Sequence, residues 1–362
     1  MTAGEAPFAA HGIVEAGFET VREAFSDVIA AQAGTGAALA VWHDGRWVVD
    51  LWGGAADAAG TVPWRRDSIV QAYSVSKPFV AMCALLLVDR GLLDLDAPVQ
   101  RYWPEFTAQA TVRHVLSHQA GVVALDAPAP TDVFYEWDAL CALLAAQQPA
   151  WSPGTAHGES ALFYGHLVGE LVRRIDGRSV GTVMREELCE PAGLDFAVGL
   201  HARDQARAVD LTCLADIEPR PGDLYRRATS NPPGTRDPDV VNSAAWRGAA
   251  VPAINGHGTA RGIAGLYAAL LRGDLLSAAL LREAVSVQCS GVDRVFGHEN
   301  AWGLGFGVDG EGFGMGGLGG SYGGASTSGH YAVAFMTGTM GTHERGDTLE
   351  NTLRSCIGLP AI

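Results

Sequence analysis

Residues 79–88 read FVAMCALLLV, ten consecutive positions without a polar side chain. A helix that is apolar all round offers no face to water and is buried on most sides. The run is too short to span a bilayer. A helix predicted from about Ser74 to Arg90 therefore runs through the interior of a folded domain, and the rest of the chain must supply the layers that cover it. Ser74 and Lys77 stand at its start, three positions apart and on one face. Lys77 is also the single lysine, since 24 of the 25 basic residues are arginine. Arginine would serve for a surface cation. A guanidinium stays charged at any working pH, whereas a buried amine can give up its proton.

A serine hydroxyl is a weak nucleophile until a neighbouring base takes its proton. Lysine can be that base when burial and nearby cations lower its pKa. A serine at the start of a helix also has free backbone N–H groups and the positive dipole end beside it, where negative charge would develop. Residue types, spacing and position thus fit a Ser–Lys nucleophile.

At 362 residues the chain can form one large domain or two intertwined lobes. Its 48% hydrophobic and 18% charged residues read as globular. The formal charge of -15 argues against nucleic acid or an anionic membrane as partner, and a Ser–Lys nucleophile calls instead for a small acyl molecule. The opening MTAGEAPFAAHGIVEAGFETVREAF lacks a basic stretch followed by an apolar run. A cytoplasmic protein is expected on that ground. The six cysteines are far apart without C-x-x-C pairing, which predicts free thiols rather than a zinc site. His114 and His118 have metal-like spacing but no H-E-x-x-H pattern or third ligand. The G-x-G fragments after residue 303 lack the strand-before, helix-after context of a nucleotide loop. No metal or cofactor is expected.

Along the chain, Val14, Phe18, Val21 and Phe25 predict a helix over 13–33, and GAALAVWHDGRWVVDLWGG predicts a hairpin turning at His43-Asp44-Gly45. Helices and long loops follow from about 95 to 250, with TVRHVLSHQAGV and the stretch from Ser160 to Leu194 the most helical and Gly177 and Gly193 as stops. Residues 217–241 read as a surface loop by composition. Residues 258–277 predict a helix capped by Thr259, HYAVAFMTG a strand, and DTLENTLRSCIG a closing helix. His257 reads as a turn residue that caps the helix after it. Strands at both ends and a helical middle imply an α+β body with an inserted helical region.

The segment YSVSKPFVAMCALLLVDRGLLDLDAPVQRYWPEF, followed by TVRHVLSHQAGV and SPGTAHGESALFYGHLVGELVRRIDGRSVG, resembles the serine β-lactamase and penicillin-binding protein superfamily. The likeness is to the class C-like branch of β-lactamase-fold esterases and acyltransferases and extends over residues 35–335. It implies a β-lactamase/transpeptidase-like α+β fold. Residues 1–73 and 251–362 would form an α/β lobe, residues 74–250 a mainly helical lobe, with the active site in the cleft between them. It implies Ser74 as nucleophile and Lys77 as general base, with the backbone N–H groups of Ser74 and Leu318 as oxyanion hole. Two positions depart from the pattern. Glu159 stands where the branch has a proton-shuttling tyrosine, and Met315 where it has Lys or His before a glycine. Residues expected to line the cleft are Tyr73, His157, Tyr164, Met315, Gly316, Gly317 and Tyr322. Tyr164 and Tyr322 are the candidate substitutes for the missing phenol, and His157 a candidate proton carrier.

Three functions fit these residues. One is a hydrolase of an ester, amide or lactone acting through a Ser74 acyl-enzyme. Another is an acyltransferase of specialised metabolism using the same Ser74–Lys77 pair. The third is a recruited scaffold that only binds, or that performs Glu159/Lys77 acid–base chemistry such as cyclisation or isomerisation. A Glu159 carboxylate beside Lys77 would favour the ammonium and oppose its use as a base, or would itself be the base.

Overall fold

A computed structural model describes residues 9–216 and 220–362. Nine strands form one antiparallel sheet: β1 (His11–Val14), β2 (Ala37–His43), β3 (Arg46–Gly53), β4 (Cys289–Val292), β5 (Glu299–Trp302), β6 (Gly307–Val308), β7 (Gly312–Gly316), β8 (Tyr322–Ser326) and β9 (Tyr331–Thr337). Their order is β1-β3-β2-β9-β8-β7-β6-β5-β4. The expected hairpin joins β2 to β3. Asp44 and Gly45 both have positive φ, 44° and 88°, which matches the twist of the strands they connect.

Period-2 alternation divides β2 and β9 between two cores. Leu39, Val41, Val333 and Phe335 face helices α1 (Glu19–Ala31) and α5 (Glu344–Cys356), packing with Val21, Phe25, Leu349 and Leu353. Ala38, Ala40, Ala332 and Ala334 face the other way, and these small side chains let α4 (Ala260–Arg272) sit close to the sheet through Ile263, Leu266 and Leu270. Thr259 caps α4 as expected, its Oγ1 accepting the Gly262 N–H at 2.9 Å. The apolar helix α2 (Lys77–Asp89) is enclosed, with Phe79 through Leu85 fully buried, and packs on α3 (Tyr164–Asp176). Gly177 and Gly193 adopt positive φ where helices end.

Several expectations need correction. Ile13 and Val14 belong to β1, paired with Asp50 and Val49, so the first helix starts only at Glu19. Edge pairing to β3 outweighs helical periodicity there. In TVRHVLSHQAGV the helix covers only Val112–Leu116, because His118 turns out of it at φ 60°. His257 lies in a short strand, His257–Gly258, with Nδ1 bonded to Asn255 O at 2.7 Å, and does not cap α4. The segment 217–241 contains two helices, Asp223–Ser230 and Pro238–Val241, and residues 217–219 of it lie outside the described residues.

The six cysteines are free thiols. Among the described residues no helix is long and apolar enough to cross a membrane, and no group of three or more His, Cys, Asp or Glu is placed to hold a metal ion.

Candidate active site

Ser74 sits where a short strand, Val70–Gln71, passes through a 3-10 turn, Tyr73–Ser76, into α2. Tyr73 bends the chain there in a left-handed conformation, φ 45°, which costs an L-residue about 1–2 kcal/mol. The strain is held by a hydrogen bond from its phenol to Thr235 O at 2.9 Å and by burial of the ring. One turn on, Lys77 Nζ donates to Ser74 Oγ at 2.7 Å and makes a longer 3.5 Å contact with Ala253 O. Its side chain has no exposure to solvent.

Glu159 completes the cluster. Its Oε1 lies 2.9 Å from Lys77 Nζ and accepts from Ser74 Oγ at 3.2 Å. Burial pulls the Lys77 pKa below its ordinary value, and the Glu159 carboxylate opposes that pull through its charge and its hydrogen bond. Glu159 is not on a helix. Its position is set by Asp293, a fully buried residue whose Oδ2 accepts the Glu159 N–H at 2.9 Å. The other oxygen of Asp293 accepts the N–H groups of Val295 and Phe296, each at 2.8 Å, and Asn300 Nδ2 donates to Oδ2 at 3.2 Å. The β4–β5 hairpin thereby clamps the Glu159 segment. His118 secures the next residue, its Nδ1 accepting the Ser160 N–H at 3.2 Å. Burial between Tyr164 and Trp302 keeps the His118 ring neutral, with its pKa held well below the ordinary value.

The opposite wall is the end of β7. Gly317 follows the strand so closely against the turn before Ser74 that a Cβ on it would stand 2.5 Å from Ala72 O. This backbone approach brings the Leu318 amide to the Ser74 side of the cavity, and among the described residues neither the Ser74 nor the Leu318 N–H donates to a protein acceptor. Two backbone donors converging beside a nucleophile can hold an oxyanion. Met315 is paired with Gly323, on the α4 face of the sheet, and adds an apolar surface. A cavity of about 820 Å³ runs from Ser74 and Glu159 along β7 and past it to the α5 face.

Ser74, Lys77, Glu159, Tyr73, Met315, Gly316, Gly317 and Leu318 thus come together around one cleft. Three other expected lining residues do not. Tyr164 is fully buried in α3, its hydroxyl donating to Leu116 O at 3.1 Å, because residues 163–164 begin a helix that packs inward. His157 is turned away, its Nε2 held 2.8 Å from Asn300 Oδ1. Tyr322 pairs with Phe335 on the α5 face and donates to Glu350, so it lines only the far extension of the cavity. No tyrosine hydroxyl therefore replaces the missing phenol beside Lys77. Sequence reading missed Asp293 and Arg236. Asp293 shows no local signal, and the loop composition around Arg236 concealed a wall of the cleft.

The same fold recurs in known proteins. A family model described as Beta-lactamase matches residues 21–354. The chain belongs to the β-lactamase family. It is similar to "Esterase/beta-lactamase LipL" of Mycobacterium tuberculosis, 34% identical over 284 residues that cover 72% of this chain and 64% of LipL. It is also similar to "Esterase EstB" of Burkholderia gladioli, 28% identical over 162 residues covering 39% of this chain and 41% of EstB. The chain thus spans less than two thirds of the length of these curated relatives. Among solved structures, a family VIII carboxylesterase superposes with a TM-score of 0.88 at 36% identity, covering 96% of this chain and 99% of that one. EstA from Arthrobacter nitroguajacolicus Rue61a superposes at 0.84 with 28% identity, covering 96% and 98%.

Proposed function

We propose that the protein is a serine hydrolase that cleaves an ester, amide or lactone through an acyl-enzyme on Ser74. The observation that carries this is the three-way contact of Ser74 Oγ, Lys77 Nζ and Glu159 Oε1 at 2.7, 2.9 and 3.2 Å. In this arrangement the ammonium donates to Ser74 and to the carboxylate, and the Ser74 hydroxyl donates to the carboxylate. Glu159 is therefore the proton acceptor, while Lys77 orients both oxygens and offsets charge on them.

Ser74 Oγ forms a bond to the substrate carbonyl carbon as its proton passes to Glu159. The carbonyl π pair moves onto oxygen, where the N–H groups of Ser74 and Leu318 stabilise it. Collapse expels the alcohol or amine, which takes the proton back from Glu159. Water then adds to the acyl carbon, gives its proton to the same carboxylate, and Ser74 leaves reprotonated with release of the acid. The likeness to an esterase/β-lactamase and to a family VIII carboxylesterase supports an ester as the first substrate class to try. Free cysteines suit a reducing compartment such as the cytoplasm.

The test is intact-mass spectrometry after treatment with a neutral fluorophosphonate, alongside hydrolysis of short-chain 4-nitrophenyl esters. Wild type should gain one adduct and turn over esters, and Ser74→Ala should do neither. Folded wild-type protein that takes up no adduct would overturn the acyl-enzyme reading.

A further inference from the structure

Two arginines line the cleft outside its catalytic cluster. Lys77 and Glu159 form an ion pair and cancel. Arg236 and Arg220 line the same cavity, and neither has a carboxylate partner among the described residues. Most other arginines of this chain of net charge -15 are engaged by Asp or Glu. Arg236 Nη2 instead donates to the Tyr225 hydroxyl at 3.0 Å, and Arg220 Nη1 donates to Phe296 O at 2.9 Å and stands 3.0 Å from His298 Nδ1. These contacts place the guanidinium groups, and no carboxylate among the described residues pairs with them.

The placement of Arg236 is tied to the nucleophile. The residue before it, Thr235, accepts the Tyr73 hydroxyl at 2.9 Å, and Tyr73 directly precedes Ser74. The positive charge of Arg236 reaches that buried phenol and favours its ionised form, against the larger opposing effect of burial. Of the carboxylates that line the cavity beyond Glu159, Asp309, Glu311 and Glu350 are engaged elsewhere. Asp309 Oδ1 accepts the N–H groups of Glu311 and Gly312, Glu311 pairs with Arg354 at 2.8 Å, and Glu350 accepts the hydroxyls of Tyr322 and Tyr331 on the α5 face, where Asp347 also lies. On the β7 side, Met315 offers no cation.

We infer that Arg236, with Arg220 beside it, is a specificity-determining anion site, and that the preferred substrate is an ester or amide carrying a carboxylate on the part that lies against the 220–236 wall. This rests on the acyl-enzyme reading above and narrows its substrate class. A guanidinium fork matches a carboxylate in two-point geometry, and a partly enclosed cleft strengthens the pairing. Neutral esters of the same length reach Ser74 without that contact.

The test compares 4-nitrophenyl hydrogen glutarate, with the charge on the acyl side, and 3-carboxyphenyl hexanoate, with the charge on the alcohol side, against neutral 4-nitrophenyl and phenyl hexanoate. One of the charged esters should show a kcat/KM on the order of 10-fold or more above its neutral partner, mainly through KM, as expected for one charge-assisted hydrogen-bonded pair. That preference should shrink as salt is raised from low to high ionic strength. Arg236→Gln should lose it, and Arg236→Lys, which keeps the charge but not the fork, should keep only part of it. Binding is read separately by calorimetry of monomethyl glutarate on Ser74→Ala, where adding Arg236→Gln should weaken affinity by a similar factor. No preference for either charged ester in wild type at low salt, or equal binding of monomethyl glutarate with and without Arg236, would overturn the anion site. If no ester is turned over yet the Arg236-dependent binding is present, the acyl-enzyme reading falls and the anion site stands.

Discussion

The carboxylate of Glu159 stands 2.9 Å from the amine of Lys77, a nitrogen fully shielded from solvent. An amine buried alone would shed its proton, and a carboxylate beside it resists that loss. On the proposed mechanism the pair moves the role of proton acceptor from nitrogen to oxygen. It also gives the single lysine a place: a compact cation in contact with two oxygens, Ser74 Oγ and Glu159 Oε1.

Glu159→Gln keeps the shape and the contacts but removes the base. Ester kcat/KM should fall by about 10²–10⁴-fold, the usual worth of general acid–base help. Circular dichroism should show an unchanged fold. Activity within a few-fold of wild type would transfer the base role to Lys77.

The pH profile separates the two candidate bases. With Glu159 as acceptor and Lys77 as ammonium, kcat/KM should decline on the alkaline side, at a pH below the ordinary lysine range because burial lowers the Lys77 pKa. A rate that climbs through the same window would make neutral lysine the base.

Stability should move against activity at this site. The lowered Lys77 pKa means that, between its folded and unfolded values, the unfolded chain holds a proton the fold has released, so the contribution of Lys77 to stability rises with pH. Replacing the pair in a Lys77→Met/Glu159→Gln double variant should leave the protein inactive and more stable by about 1–4 kcal/mol at neutral pH, the range found when buried ion pairs are replaced by well-packed side chains. Urea denaturation reads it, and the advantage over wild type should narrow as pH rises. A double variant markedly less stable than wild type would show that the pair stabilises the fold.

Gly317→Ala tests the oxyanion hole. The added Cβ would stand 2.5 Å from Ala72 O, so the end of β7 must withdraw and carry the Leu318 amide with it. The loss should appear in kcat, on the order of 10²–10³-fold, with KM little changed. An equal loss in KM alone would place Leu318 in ground-state binding.

Asp293→Ala should loosen Glu159 without touching substrate. It strips four hydrogen bonds from one buried carboxylate, those from Glu159, Val295, Phe296 and Asn300. Tm should fall. At a temperature where the variant is still folded, fluorophosphonate labelling of Ser74 should slow by about 10-fold or more, since a small displacement of a positioned base is costly. Asp293→Asn, which retains an acceptor, should recover part of both. Slower labelling with no recovery in Asp293→Asn would point to general destabilisation.

Parts of this arrangement were legible in the sequence because they are local. Ser74 and Lys77 meet through one helical turn, and the burial of Lys77 follows from ten apolar residues behind it. The Asp44-Gly45 turn and the Thr259 cap likewise depend on residues a few positions apart. Glu159 and Met315 were located by their place in a motif order. The tyrosines misled for the same reason: Tyr164 and Tyr322 lie near the right positions in sequence, but the helix and strand phases that carry them point inward and toward α5.

Local chemistry in the sequence determined that Ser74 and the single lysine meet at the start of a buried helix. Tertiary structure alone decided which groups meet Ser74 Oγ and which arginines line the cleft. Asp293 reaches Glu159 across 134 residues, and Thr235 reaches Tyr73 across 162. Hydrogen bonds of that separation depend on how the sheet and the helices close on one another, and neither helical nor strand periodicity encodes that closure.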